Sequence, residues 1–312
     1  MRKTIRAKKP YIYLNNSNFK LAPWEECVKA GLLSTGNRPL EKYYESLAYH
    51  LHLPTLHTNK KEARLCFCEG VSLRFDTFPD YLFYEIIPVI WDCWPRFWSS
   101  MELFFKKHNV KTAFFTSSQT ANHFRHVFPE RNIFHIPEGI ETELYRDEKK
   151  LSDRTIDYLE FGRCSRIVDS TKFDSSIRVL SSFNEKHGLS TRDELINALS
   201  DSKLTIALTR QDNQPEIAEG IDTLTQRYWE CMLSGVILLG RAPQELIDFI
   251  GYDPTVPINY EDVNSQILDI LKNLEKYQVL VDRNRETAVR LGDWNLRIFD
   301  IKKILVDLGY IF

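Results

Sequence analysis

Short apolar runs, each bounded by turn-forming residues, alternate with segments of helical spacing along the chain. This alternation restricts the fold to the α/β class. In the first half the runs lie at residues 11–14, 63–68, 86–91, 113–116 and 133–136, with helical spacing between them at 40–50 and 120–128. The second half repeats the style, with runs at 156–161, 204–208, 236–239 and 256–258 and helical stretches at 191–199, 226–233 and 263–276. Runs this short and this apolar suit parallel strands covered on both faces by helices.

At 312 residues the chain is long enough for two domains of about 150 residues each. The polar, charge-rich segment 141–153 marks the boundary. The sequence therefore predicts an N-terminal domain over 1–147, a C-terminal domain over 153–294, and a last helix over about 295–312 packing back on the first. Two Rossmann-like halves facing each other across a cleft are the expected assembly, with ligands at the carboxyl ends of the strands.

Composition narrows the function by exclusion. The formal net charge is -2, so the overall balance exerts no pull toward nucleic acid. The basic cluster Arg2, Lys3, Arg6, Lys8 and Lys9 reads as a solvated terminus; its sharper reading is a peripheral hold on an anionic membrane surface, at about 1 kcal/mol per cation. No apolar run reaches the roughly 18 residues of a membrane span, and no leader pattern is present. The six cysteines are scattered among apolar segments, as reduced buried thiols would be. A cytoplasmic location is the expectation. His50 and His52 with Cys66 and Cys68 match no zinc spacing, so no metal site is expected. Motifs of phosphate-loop ATPases, serine hydrolases and zinc proteases are missing.

The most informative segment runs from Gly220 to Gly240: a loop, a short helix, a helix-ending glycine and a buried strand. Gly235 stands where a left-handed cap is needed. Glu230 lies among Tyr228, Trp229, Cys231, Met232 and Leu233, where a carboxylate is costly unless something satisfies it. The vicinal hydroxyls of a ribose would do so; an internal ion pair with an arginine is the alternative. Asp222, Thr223, Leu224 and Thr225 lead into the first turn of the helix, whose free N–H groups form an anion site. The carboxylates of Asp222 and Glu230 bracket that site.

Asp222, seven residues, Glu230 and then Gly235 resemble the signature of the group 1 (family-4-like) retaining glycosyltransferases of the GT-B fold. The wording Thr-Gln-Arg-Tyr-Trp-Glu over 225–230 is closer to a divergent branch associated with surface polysaccharide and spore-coat glycosylation. The family's first acid is usually Glu, so Asp222 is a departure, with Glu216 and Glu219 as nearby competitors. Three further segments agree: 157–163 ending in Gly162-Arg163, the turn at 132–141, and the closing segment 292–301. The resemblance spans roughly 86–301. It implies a hexosyltransferase-type enzyme that moves a sugar from a nucleotide-diphosphate donor to a saccharide or lipid-linked acceptor, with retention and with neither metal nor cofactor. It also implies roles: Gly162, Arg163, Arg227 and Lys172 (or Arg166) on the donor diphosphate with Thr223, Leu224 and Thr225, Glu230 on the ribose, and Asp222 on the sugar hydroxyls. Because fold does not dictate chemistry, a nucleotide-sugar epimerase or hydrolase, or a non-catalytic nucleotide-sugar-binding relative, stands as the alternative.

On the acceptor side, residues 86–98 read as a buried strand running into an aromatic-rich loop. Asp92 falls at the strand's carboxyl end, where the resembled family often has a His. It is expected either to contact the donor sugar or accept the proton of the attacking hydroxyl, or else to cap the following turn. Trp94, Phe97 and Trp98 are candidates for stacking on a saccharide or for core packing.

Overall fold

The computed structural model describes residues 10–15, 21–35, 51, 62–145, 149–162, 167–182, 189 and 191–312. Arg163, Arg166, the basic N-terminal cluster, His52 and the whole helical segment 40–50, His50 included, lie outside them. The chain forms two compact units, one of Met1–Glu138 with Trp294–Phe312 and one of Gly139–Asp293. The segment 141–153 belongs to the second.

The first unit holds a five-stranded parallel sheet in the order β1-β2-β3-β4-β5, with β1 Tyr11–Leu14, β2 Glu62–Glu69, β3 Glu85–Trp91, β4 Thr112–Phe115 and β5 Asn132–His135. Among the described residues the helices of seven residues or more are α1 Ala22–Lys29, α2 Pro95–His108 and α3 Ser118–Val127 here, and α9 Trp294–Asp307 at the end of the chain. The inner strands β2, β3 and β4 divide their side chains between two separate cores, which explains the unbroken apolar runs. Cys66, Cys68, Ile86, Ile90 and Phe115 join Phe105 and Phe124 on one face. Leu65, Phe67, Ile87, Val89 and Phe114 join Ile298, Ile301 and Leu305 of α9 on the other. The aromatic-rich stretch predicted as a loop is the start of α2. Pro95 occupies its first turn, where a missing N–H costs nothing, and Asn109 closes it at φ 48°.

The second unit has its own parallel sheet, ordered β10-β9-β8-β6-β7: β6 Ile156–Glu160, β7 Val179–Ser181, β8 Ser202–Ala207, β9 Ile237–Gly240 and β10 Val256–Pro257. Its longer helices are α4 Arg192–Ser200, α5 Gln226–Leu233, α6 Gln244–Ile250, α7 Val263–Lys272 and α8 Glu275–Leu291. Again the strands split their side chains. Leu159, Ala207 and Leu238 pack with Tyr228, Trp229 and Met232 of α5, while Tyr158, Ile206 and Leu239 pack with Val263, Ile267 and Ile270 of α7. Strand β7, absent from the predicted set, is three residues long and forms by pairing with β6. The buried Arg154 ties the layers together, donating to the carbonyls of Lys149, Leu199, Ser202 and Ser234. The entry segment is pinned by Ile140 N–H to Gly292 O at 2.8 Å and Thr142 Oγ1 to Asp293 Oδ2 at 2.6 Å.

Candidate functional site

The strand order singles out one sheet edge. In the first unit the described strands follow sequence order, so no crossover reverses direction. In the second, the chain leaves β6 for β7 on one side and returns to β8 on the other. The carboxyl ends of β6 and β8 therefore flank a switch point, the place where an open α/β sheet leaves a crevice for ligand.

Helix α5 serves this edge. Its N-cap Thr225 has extended backbone and makes no side-chain cap, which leaves first-turn N–H groups without that partner. It ends as its sequence predicts: Gly235 has φ 65°, and the Gly235 and Val236 N–H groups bond back to Met232 O and Cys231 O, both at 3.2 Å. Between these ends, Arg227 leans onto the turn after β6. Its guanidinium lies 5.2 Å from the centre of the Phe161 ring, and a Cβ added at Gly162 would come within 1.9 Å of its Nη2. Gly162 itself has φ 64°, so both the backbone and the space call for glycine there.

Glu230, one turn further along α5, is partly buried. Burial raises its carboxyl above the ordinary carboxylate value, opposed by the charges of Arg227 and Arg192 and by the Tyr145 hydroxyl. The ion pair set against a ribose does not form with either of these arginines: Arg192 pairs with Glu141, and Arg227 lies against Phe161 and Gly162. Tyr145, which no sequence pattern marked, packs against α5 in the core.

A second constellation occupies the ends of β8 and β9. Arg241, immediately after Gly240, holds Asp222 with Nη1 to Oδ2 at 2.6 Å and Asp212 with Nη2 to Oδ2 at 3.0 Å, and its Nη2 also donates to Thr209 Oγ1 at 3.0 Å. The hydrogen bonds it donates to Asp222 and Asp212 push its pKa well up, keeping it charged. Gly240 is required here, since a Cβ would stand 1.9 Å from the Ala207 carbonyl oxygen. Asp222, predicted to face sugar hydroxyls, thus has a cation on it in this structure. Thr223 Oγ1 donates to Glu245 Oε1 at 2.6 Å, and the Leu224 N–H donates to the same oxygen. The Leu224 amide, expected to face the donor diphosphate, bonds the side chain of Glu245 in this structure. Neither Arg241 nor Glu245 was legible in the motif, although position after a strand end was a usable signal for Arg241. Lys172 lies exposed on the turn Ser170–Lys172, 3.6 Å from Asp169.

In the first unit Asp92 sits exposed at the end of β3 with φ 47°, a backbone state that few non-glycine residues adopt. Its charge and that of Asp76 add to burial in raising the Glu69 carboxyl. Trp94 is buried, while Trp98 stacks on His123 with ring centroids 3.8 Å apart, and His123 Nε2 is 2.9 Å from Glu102 Oε1. Cys66 and Cys68 are buried free thiols. Among the described residues no group of three or more His, Cys, Asp or Glu is placed to hold a metal ion, and no helix is long and apolar enough to cross a membrane.

Comparison of the structure with solved proteins finds HepE of Anabaena, crystallised with UDP-glucose, at a TM-score of 0.60 and 10% identity. The match covers 96% of this chain and 100% of that one. The chain has the GT-B fold. The sucrose-phosphate synthase of Thermosynechococcus elongatus shares this GT-B arrangement at a TM-score of 0.51 and 14% identity, over 90% of this chain and 82% of that one. No protein-family model matches the sequence, and a search of curated proteins finds no match either.

Proposed function

We propose that this chain is a glycosyltransferase that binds a nucleotide-diphosphate sugar in its second unit and passes the sugar to a saccharide or lipid-linked acceptor. The observation that carries the reading is Glu230: a partly buried carboxylate on α5, acted on by the charges of Arg227 and Arg192 while Arg192 pairs with Glu141 and Arg227 lies against Phe161. A ribose diol can donate to such a carboxylate from both hydroxyls at once. The diphosphate lies against the start of α5 and Arg227, with Arg163 assigned to it by sequence. These cations and N–H groups stabilise the charge on the departing diphosphate, which makes the reaction metal-independent, and the resemblance at 222–235 supports retention. HepE, similar in fold, was solved with UDP-glucose and also with UDP and glucose, which supports the choice of donor class.

The test is thermal unfolding in the presence of UDP, GDP, ADP, CMP and TDP, with and without magnesium, followed by a transfer assay with the matching nucleotide sugar. One nucleotide at 100 times its Kd is expected to add about 2.7 kcal/mol of stability, with or without magnesium, and the effect should vanish in Glu230→Ala. Absence of a response to all five would remove the reading. Binding without turnover on any saccharide or lipid-linked acceptor would reduce it to a nucleotide-sugar-binding protein.

A further inference from the structure

Three successive residues that lead into α5 are all held by one short segment of chain. Arg241 Nη1 and Nη2 donate to the two carboxylate oxygens of Asp222 at 2.6 and 3.2 Å. Thr223 Oγ1 donates to Glu245 Oε1 at 2.6 Å, and the Leu224 N–H donates to the same oxygen. Residues 222, 223 and 224 are thus tied in turn to residues 241–245. The N-cap Thr225, whose side chain makes no cap, comes next. The segment that holds them is itself fixed. The Arg241 N–H donates to Ala207 O at 3.0 Å, and its carbonyl accepts from the Tyr228 hydroxyl of α5 at 2.6 Å. Glu245 lies in the first turn of α6, where the helix dipole favours a carboxylate.

This tethering determines what α5 can present to a ligand. A helix start receives an anion best when its N–H groups are fixed beforehand. A loop that is ordered only part of the time lowers the apparent affinity by that fraction. The loop has little hold of its own, since of residues 222–225 only Leu224 is buried. Glu245 moreover places a negative charge on the residue next to the N-cap, where by charge alone it opposes a diphosphate. Any favourable part it has in binding therefore comes from the two bonds that its oxygen accepts, and not from its charge.

We propose that Glu245 is a positioning residue of the donor site: with Arg241 on Asp222, it clamps loop 222–224 so that the start of α5 is preformed for the diphosphate. The inference rests on the donor-site reading above and adds to it a residue that acts through the loop without touching the donor.

The experiment is calorimetric titration of the full chain with UDP, GDP, ADP and CDP. The tightest of these, and its nucleoside as a competitor, are then measured on Glu245→Gln, Glu245→Ala, Thr223→Val and the chain carrying both Thr223→Val and Glu245→Ala. Glu245→Gln retains an oxygen for both loop bonds and should bind the diphosphate within about 3-fold of wild type. Glu245→Ala should weaken it roughly 10-fold, as when the competent loop falls to about a tenth of the population. The nucleoside, which lacks the phosphates, should stay within about 2-fold of its wild-type affinity. Thr223→Val should weaken the diphosphate about 3-fold by itself and add nothing to Glu245→Ala, because its hydroxyl acts through the same oxygen. Wild-type affinity in Glu245→Ala would overturn the proposal, as would equal weakening of nucleoside and diphosphate, the mark of general damage to the fold. A loss in Glu245→Gln as large as that in Glu245→Ala would also overturn it, since charge and not tethering would then be at work. Should Glu245→Ala fail to fold, Thr223→Val decides: affinity equal to wild type refutes the clamp. In all these outcomes the wild type still binds and the donor reading stands. If wild type binds none of the four diphosphates, that reading falls and takes this proposal with it.

Discussion

Substituting Gly162 by Ala separates a backbone effect from a ligand effect at one position. Gly162 has φ 64°, and the added Cβ would meet the Arg227 guanidinium at 1.9 Å. The left-handed backbone costs an Ala about 1–2 kcal/mol relative to glycine. For a unit of about 150 residues that lowers the melting temperature by roughly 2–8 °C. The steric overlap adds little to stability, since the atoms met are the far end of a flexible side chain that can swing away. Its consequence is for binding: Arg227 leaves its place over Phe161, and one charge-assisted hydrogen bond to the diphosphate goes with it. Such a bond is worth about 1.5–3 kcal/mol, or roughly 10- to 150-fold in Kd. The assay is calorimetry with the cognate nucleoside diphosphate on Gly162→Ala, Arg227→Ala and the double variant, alongside thermal unfolding of each. If the Ala acts through Arg227, the double variant binds as Arg227→Ala alone does, while the melting penalty persists in both chains carrying the Ala. Losses in binding free energy that add to within about 0.5 kcal/mol would show that the two positions act independently, and the reasoning would be refuted.

Two further outcomes are expected. Because burial raises the Glu230 carboxyl, the folded chain keeps a proton there at pH values where the unfolded chain has released it. The unfolded state then binds fewer protons, so this group's contribution to stability is intact below the ordinary carboxylate pKa and is lost as pH rises through the raised one. Glu230→Gln removes that loss. The melting temperature of the variant relative to wild type should climb from about pH 4 upward and then level off; a difference constant with pH would count against titration of a buried carboxyl. Arg154→Leu should cost about 3 kcal/mol or more, because it leaves the carbonyls of Lys149, Ser202 and Ser234 without their donor. Arg154→Lys should recover little, lacking the fork that spans them; thermal unfolding within about 2 °C of wild type for either variant would contradict this account.

The sequence by itself determined the class of fold and most of the strands. Parallel strands covered on both faces must be apolar throughout, so runs such as Ile86 to Ile90 and Ile237 to Leu239 show in the primary structure. It determined the end of α5 equally well, because Gly235 at φ 65° answers a local steric demand. Glu230 was visible as a carboxylate set in an apolar stretch. Other features depended on partners distant in the chain. Strand β7 is three residues that become a strand by pairing with β6, and α2 was read as a loop because its aromatics obscured the Pro95 start signal. The Asp222 carboxylate looked free to meet a sugar until folding brought Arg241, 19 residues on, against it. Glu245 reaches the Thr223 hydroxyl and the Leu224 amide from a different helix, and Tyr145 meets α5 from the entry segment. Local backbone and burial requirements leave their mark residue by residue. The pairing of charges and hydroxyls across elements leaves none, because any of several distant side chains satisfies it equally and only the packed layers choose among them.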